Sequence, residues 1–245
     1  MNVAISRNPG LPARTAQHKL RIGGLSRLTT IDYPGQLAAV VFCQACPWQC
    51  RYCHNPELIE SGGEISLNWD DCQQWLRQRR GLLDAVVFSG GEPTLQQALG
   101  QAMQDVRDQG FLVGLHSAGC YPQRLQSVLP LVDWVGLDIK ALVTDYVNIT
   151  GVPGSGLKAW QSLDLVLQSG IDHEIRVTVH SGLSTLSRLQ ILIRRLAERG
   201  VQNLALQACQ TQRMADASCG PSSTQWLEPL RVMAERLIPK VEVRP

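Results

Sequence analysis

Short apolar runs rich in β-branched residues alternate with segments of helical character along most of this 245-residue chain. We predict strands at residues 37–43, 84–90, 111–117, 133–140, 173–179 and 201–209, with a short terminal strand at 241–243. Largely apolar strands are typical of a parallel sheet covered by helices, and parallel neighbours require right-handed crossovers. The pattern therefore predicts an α/β fold, either an open doubly wound sheet or a full or partial (β/α) barrel.

The segments between these strands predict five helices, at residues 66–80, 94–110, 157–170, 185–200 and 222–237. Ser66 or Asn68 is a suitable N-cap for the first of them. Three of the helices end on a glycine, which suits the left-handed position that follows a helix. We find no repeat, linker or low-complexity tract, so residues 19–245 are expected to form one domain.

The remaining residues, 1–18, belong to a stretch of 31 residues that contains no acidic side chain. This stretch includes "NPGLPAR", whose two prolines and glycine disfavour an amphipathic helix. We therefore predict a flexible tail at residues 1–18 in place of a targeting peptide.

Charge and hydropathy limit the kinds of partner and the cellular compartment that we expect for this protein. The net charge is only +2, which gives no indication of a nucleic-acid or membrane partner held by bulk electrostatics. The sequence has no signal-peptide h-region and no apolar run long enough to span a membrane. We therefore expect a cytoplasmic protein whose thiols stay reduced.

Three cysteines, Cys46, Cys50 and Cys53, lie in "CPWQCRYCHN", directly after the first predicted strand. C-x-x-C-H also attaches c-type haem, but that interpretation leaves Cys46 unused and requires export. A zinc-stapled interaction protein would need four ligands, and Cys43 lies on the strand, where a buried thiol is ordinary. A 4Fe–4S cluster with three thiolate ligands uses all three cysteines and leaves one iron open.

Polar or glycine-rich residues also follow the later predicted strands. In parallel α/β folds the chemistry lies at the carboxyl ends of the strands. The candidates there are Ser89, Gly90, Gly91 and Glu92 after the second strand, His116 and Ser117 after the third, Asp138 and Lys140 after the fourth, Arg176 and His180 on and after the fifth, and Gln207 on the sixth.

The cysteine spacing, with Tyr52 before the last cysteine and "GGEP" after the next strand, resembles the radical S-adenosylmethionine (SAM) superfamily. The stretches "TTIDYPG", "CRYCHNPELI", "VVFSGGEPTLQ" and "VDWVGLDIKA" are similar to glycyl-radical-enzyme activases, most of all to the longer anaerobic ribonucleoside-triphosphate reductase activating proteins. The similarity covers residues 20–240. It implies a partial (β/α)6 TIM-like barrel of the radical SAM type.

The resemblance also implies the cofactors and their contacts. One 4Fe–4S cluster would be bound by Cys46, Cys50 and Cys53, and SAM would chelate the open iron. Reductive cleavage of SAM would then yield a 5′-deoxyadenosyl radical that abstracts a hydrogen atom. The SAM contacts would be Ser89, Gly90, Gly91, Glu92, His116, Ser117, Asp138, Lys140, Arg176 and His180.

Two departures refine this expectation. Pyruvate formate-lyase activase-like sequences carry "LDTNG" after the third strand, whereas this chain has "LHSAG", with His116 in place of the aspartate. This places a monovalent-cation site in doubt and favours a reductase activase. Residues 54–84 contain only one cysteine, Cys72, so we expect a single cluster, with Cys72 and Cys120 structural.

The implied activity is that of an anaerobic radical SAM oxidoreductase that generates a glycyl radical on a partner enzyme. The expected partner is the large subunit of anaerobic ribonucleotide reductase, and the expected electron donor is a flavodoxin or ferredoxin. The alternatives are an activase of the pyruvate formate-lyase type and a radical SAM enzyme with a small-molecule substrate, such as a 7-carboxy-7-deazaguanine synthase-like enzyme.

Overall fold

The computed structural model describes residues 19–60 and 67–244, and within them an eight-stranded sheet. The predicted tail at 1–18 and the candidate cap Ser66 lie outside the described residues. The strands are β1 (Ile22–Thr29), β2 (Ala38–Cys43), β3 (Ala85–Gly90), β4 (Leu112–Ser117), β5 (Trp134–Asp138), β6 (Asp172–Val179), β7 (Asn203–Ala208) and β8 (Lys240–Arg244).

The order of the strands in the sheet follows their order in the chain, from β1 to β8. Each neighbouring pair from β2 to β8 is parallel, whereas β1 pairs antiparallel with β2. A doubly wound sheet reverses its strand order at a switch point, and this sheet does not. Within the described residues β1 and β8 do not pair. The partial (β/α) barrel is therefore confirmed, and β8 adds the short terminal strand.

In the described part of the chain, seven helices connect or cover the strands: α1 (Trp69–Arg77), α2 (Leu99–Asp108), α3 (Pro122–Val128), α4 (Tyr146–Thr150), α5 (Ser155–Ser169), α6 (Leu186–Glu198) and α7 (Leu227–Ala234). Asn68 caps α1, because its side chain accepts a hydrogen bond from the Asp71 amide. The sequence did not predict the short helices α3 and α4.

The predicted helix at 94–110 begins later than expected. Residues 93–95 form a 3₁₀ turn, and α2 starts only at Leu99. The Glu92 side chain accepts hydrogen bonds from the amide and hydroxyl of Thr94, which fixes the 3₁₀ turn at this point. The last helix, α7, is shorter than the predicted 222–237 because a 3₁₀ turn at 224–226 precedes it.

The loop between β1 and β2 fills the barrel interior at the amino ends of the parallel strands. Tyr33 of this loop stacks on Trp134 at the start of β5, with ring centroids 5.3 Å apart. The same small apolar cluster includes Ala38, Val40 and Val87 at the amino ends of their strands. Because this end is packed, the open part of the interior lies at the carboxyl ends of the strands.

A membrane-spanning helix would need to be long and apolar, and none of the helices in the described residues meets that requirement.

Candidate functional site

A cavity of about 260 Å³ lies at the carboxyl ends of the strands. All of the predicted site residues except Glu92 and His180 line this cavity. The lining consists of Cys46, Trp48, Cys50, Tyr52, Cys53, His54, Asn55, Ser89, Gly90, Gly91, His116, Ser117, Ala118, Asp138, Lys140, Arg176, Thr178 and Gln207. The structure therefore brings the three cysteines and residues of five later strands, β3 to β7, to one space.

The loop that carries the cysteines is irregular but anchored through its backbone. The Ala45 amide donates to the Leu58 carbonyl at 2.8 Å, and the Cys46 amide donates to the Ile59 carbonyl at 3.1 Å. Farther along, the Arg51 amide donates to the Ile149 carbonyl at 2.9 Å. These bonds join the cysteine loop to the 3₁₀ turn at 56–58, which follows it, and to α4, so the positions of the thiols do not depend on a bound group alone.

The three thiols differ in their electrostatic surroundings. Burial raises the pKa of Cys50 to about 12, although the charge of Lys140 opposes this rise. Burial also raises the pKa of Cys53, whereas a hydrogen bond with the Cys120 thiol lowers the pKa of Cys46. Metals bind thiolates, so metal binding here would release protons.

Three thiols from one loop are a donor set that suits an iron–sulfur cluster. Within residues 19–60 and 67–244, no three His, Cys, Asp or Glu side chains are placed to hold one metal ion. A structural zinc site requires four ligands around one ion. In a 4Fe–4S cluster each thiolate binds a different iron, so three thiols that line one cavity provide a ligand set for such a cluster. His54, next to Cys53, has its Nε2 3.6 Å from the Cys209 sulfur.

Two glycines allow the end of β3 to approach the cysteine loop closely. Gly90 has a φ of +102°, and a Cβ there would lie 2.6 Å from the Cys43 nitrogen. A Cβ at Gly91 would lie 2.2 Å from the Ala45 carbonyl oxygen. The Gly91 amide donates to the Cys43 carbonyl at 2.8 Å. Only glycine permits this approach, which leaves peptide groups exposed at the cavity wall.

The Glu92 side chain lies behind the cavity wall, where it hydrogen-bonds to lining residues, and it does not line the cavity itself. Its side chain is fully buried, and Oε1 accepts hydrogen bonds from Thr94 and from the Ser117 hydroxyl at 2.9 Å. Oε2 accepts from the Ala118 amide at 2.9 Å. Because both oxygens are committed to the protein, Glu92 would contact a ligand only through its backbone.

Asp138 and Lys140 form an ion pair at the end of β5. Lys140 Nζ donates to Asp138 Oδ2 at 3.0 Å, and it lies 5.4 Å from the centroid of the Tyr52 ring. Burial opposes ionisation of the Asp138 carboxyl, but the charges of Lys140 and Arg176 lower its pKa overall. Burial likewise opposes the charge of Lys140, and Asp138 holds the pKa of Lys140 well above its usual value. Both side chains therefore remain charged at the cavity wall.

His116 is a neutral imidazole in this site. Nδ1 lies 3.2 Å from the Ser89 hydroxyl, and Nε2 lies 2.8 Å from the Asp32 carbonyl oxygen and 3.1 Å from Arg176 Nη2. Burial, followed by the charge of Arg176, lowers the pKa of His116 to about 3. No carboxylate occupies this position, so His116 offers no anionic ligand to a cation.

His180 lies apart from the other predicted residues. It follows β6 and is 2% exposed, and its Nδ1 accepts a hydrogen bond from the Gly182 amide at 3.0 Å. Its Nε2 has no partner among the described residues. The ring thus shapes its own turn, and it does not line the cavity.

Thr178 is a polar lining residue that was missing from the predicted set. Thr178 is two residues after Arg176 on β6 and therefore lies on the same face of the strand. Gln207, opposite Thr178 on β7, donates from Nε2 to the Thr178 hydroxyl at 2.9 Å. Strand alternation from Arg176 could have identified Thr178, and Gln207 was already a candidate because it lies near the end of the sixth predicted strand.

Comparisons with known proteins support a specific family. The radical SAM superfamily matches residues 40–200. A Methanocaldococcus jannaschii protein named as a glycyl-radical enzyme activating enzyme is 29% identical over 170 residues, which cover 65% of this chain and 68% of that protein. The pyruvate formate-lyase-activating enzyme of Clostridium pasteurianum is 30% identical over 196 residues, covering 76% of this chain and 80% of the enzyme.

Solved structures agree with the fold. Streptococcus suis SuiB bound to S-adenosylmethionine superposes with a TM-score of 0.66 at 12% identity over 82% of this chain. This chain spans about half of SuiB, 48% of its length. QueE from Escherichia coli superposes with a TM-score of 0.56 at 17% identity, covering 92% of this chain and 93% of QueE. At these identities the likeness concerns the fold alone.

Proposed function

The chain belongs to the radical SAM superfamily and, within it, to the glycyl-radical-enzyme activating enzymes, and from the sequence around its site we propose that it activates anaerobic ribonucleoside-triphosphate reductase. The family's cofactors are a 4Fe–4S cluster and SAM. We assign the cluster to Cys46, Cys50 and Cys53. The reaction would consume SAM, one electron and one glycine hydrogen atom, and would give methionine, 5′-deoxyadenosine and a glycyl radical on the partner.

The observation that carries this proposal is the shared cavity. Three thiols from one loop face the glycines of β3 and the ion pair of β5 within about 260 Å³. When bound, the cluster and SAM supply the one-electron cleavage and the hydrogen abstraction. The protein's own contribution is to bind, orient and exclude water.

Each wall of the cavity suits one part of the amino-acid end of SAM. The peptide groups of Gly90 and Gly91 are accessible to an ammonium group, because neither residue has a side chain in the way. Lys140 and Arg176 offer N–H donors to a carboxylate. Asp138, kept ionised by these two cations, can accept from an ammonium or a hydroxyl group.

The choice of partner rests on the sequence around these walls. The stretches before and after the cysteines are similar to the longer reductase activases, and His116 replaces the aspartate of pyruvate formate-lyase activase-like sequences. A pyruvate formate-lyase type of partner is the second candidate, because a named enzyme of that type is 30% identical. The likeness to QueE extends only to the fold, and it does not favour a small-molecule substrate. We propose a flavodoxin or ferredoxin as the electron donor.

The test begins with anaerobic reconstitution with iron and sulfide, reduction and addition of SAM. We expect 5′-deoxyadenosine, and none from a Cys50→Ala variant. The reduced enzyme is then mixed with the reductase large subunit from the same genome, and separately with pyruvate formate-lyase. A glycyl-radical signal in electron paramagnetic resonance with the reductase alone supports the proposal. A signal only with pyruvate formate-lyase would refute the choice of partner, and zinc without sulfide in the purified protein would refute the cluster.

A further inference from the structure

Arg176 reaches the cavity while bound to a buried carboxylate that it shares with a second arginine. We propose that Glu174 and Arg244 are positioning residues, which together hold the Arg176 guanidinium in the orientation that presents it to SAM. The inference rests on the proposed assignment of Arg176 to the SAM site. It concerns two residues that do not line that cavity.

The geometry of the shared carboxylate is asymmetric. Glu174 is 1% exposed and lies two residues before Arg176 on β6, so both side chains point into the barrel. Arg244 on β8 takes both carboxylate oxygens, with Nη1 to Oε1 and Nη2 to Oε2, each at 2.8 Å. Arg176 contributes only its Nε, 2.9 Å from Oε1.

Because Arg244 takes both oxygens, the terminal nitrogens of Arg176 are free to turn away from Glu174. Arg176 Nη2 lies 3.1 Å from His116 Nε2, and Cζ lies 5.3 Å from the centroid of the Trp134 ring. A guanidinium prefers a bidentate pair with a carboxylate. Arg244 holds the forked position on Glu174, and Arg176 contacts the same carboxylate only through Nε.

The slot that holds the Arg176 guanidinium depends on a glycine. Gly136 is opposite Glu174 in the strand register, and a Cβ there would lie 2.7 Å from Arg176 Cζ. The space that a side chain at position 136 would fill is therefore taken by the Arg176 guanidinium, which also lies near the Trp134 ring. Neither of these contacts is a hydrogen bond, so the direction of the guanidinium nitrogens is set by hydrogen bonds, chiefly the one to Glu174.

Arg244 is itself anchored on its own strand. Its Nε and Nη2 donate to the Glu242 carboxylate at 2.9 and 3.0 Å. Removal of the Arg244 guanidinium would leave Oε2 of Glu174 unpaired in a buried position, which is costly. We expect Arg176 to rotate and take both oxygens, withdrawing Nη2 from His116 and from the cavity.

The experiment measures the SAM dissociation constant by equilibrium dialysis with reconstituted, unreduced protein, so that turnover does not contribute. Arg176→Gln is expected to weaken SAM binding about tenfold, and Arg244→Gln about three- to tenfold. In the Arg176→Gln/Arg244→Gln double variant the second change should add nothing, because Arg244 acts through Arg176. Arg244→Lys retains the charge without the bidentate fork, and it should fall between wild type and Arg244→Gln. Arg231→Gln, which removes an exposed arginine paired on α7, is the control and should bind SAM normally.

Thermal unfolding of each variant separates positioning from stability. A lower unfolding midpoint for Arg244→Gln with unchanged SAM affinity would overturn the inference, and so would full additivity in the double variant. If Arg244→Gln does not fold, the comparison of Arg244→Lys alone and combined with Arg176→Gln decides in the same way. Unchanged SAM affinity in Arg176→Gln would overturn the assignment of Arg176 itself, whereas a weakened Arg176→Gln with a normal Arg244→Gln would overturn only the positioning role.

Discussion

Replacement of Gly91 by alanine is expected to disrupt the contact between the cysteine loop and the end of β3. The new Cβ would lie 2.2 Å from the Ala45 oxygen, 2.7 Å from the Ala45 carbonyl carbon and 3.1 Å from the Leu58 oxygen. All three atoms are backbone, so no side chain can rotate away. The loop must move by about 1 Å to restore an ordinary contact. Forced shifts of packed backbone cost about 3 kcal/mol, or about 6–12 °C in unfolding midpoint for a chain of this size.

The displaced segment also carries Cys46, so the Gly91→Ala variant should lose cluster iron as well as stability. Urea unfolding of the apoprotein and iron and sulfide analysis after anaerobic reconstitution measure the two effects separately. Gly100→Ala is the matched control, because it makes the same chemical change within α2 and its Cβ would meet only a Val128 methyl at 3.8 Å. That control should be stabilised by up to about 1 kcal/mol. A Gly91→Ala protein with wild-type stability and full iron content would refute the close-approach reasoning.

Three further predictions concern charge and thiols. Burial lowers the pKa of His116 to about 3 in the folded protein, whereas the unfolded ring titrates near its ordinary 6.5. Unfolding therefore takes up a proton below about pH 6.5. The contribution of the neutral ring to folding stability is complete above that pH and is lost progressively towards pH 3. Urea unfolding at pH 7 and 5 should show a loss of about 2 kcal/mol from this group that is missing in His116→Gln, and equal losses in both proteins would contradict it. Cys50→Ser should abolish cluster iron, whereas Cys72→Ser, in a buried position of α1, should retain iron and lose only about 1–3 kcal/mol of stability by the same two assays. Glu92→Gln places an N–H₂ group where four donors now converge and should cost about 1–3 kcal/mol in urea unfolding, and an unchanged midpoint would mean that these hydrogen bonds are unimportant.

The parallel strands were predictable because each is an apolar run that is buried by helices. β2 and β3 lie within one residue of their predicted bounds. β1 was not predicted, because "IGGLSRLT" contains two glycines and only part of it is buried. It pairs on the edge of the sheet, where partial exposure weakens the apolar signal.

The direction of side chains beyond the strand ends was not predictable in the same way. Strand alternation places Arg176 and Thr178 on one face, but it does not apply to Glu92, which lies in a turn. The motif located Glu92 correctly in the chain, yet only the structure shows that its carboxylate points away from the cavity. His180 illustrates the same limit, because one residue past β6 its ring turns back onto its own loop.

The charges around the cavity explain why a cluster and SAM can share this space. The buried or half-buried charges there are three carboxylates and three cations: Asp138, Glu174, Glu92, Lys140, Arg176 and Arg244. Glu92 is held by neutral donors, the other five are ion-paired and His116 adds no charge, so these charges sum to about zero. A 4Fe–4S cluster with three thiolates carries a single net negative charge in its oxidised form, and SAM carries a single net positive charge. A neutral interior therefore receives a neutral pair, which avoids the large cost of burying an uncompensated charge. An added charge such as that of His116→Asp would disturb this balance unless a cation entered with it. We therefore expect SAM binding to that variant to depend on added monovalent cations, and SAM binding to the wild type not to; equal dependence in both proteins would contradict the charge balance described here.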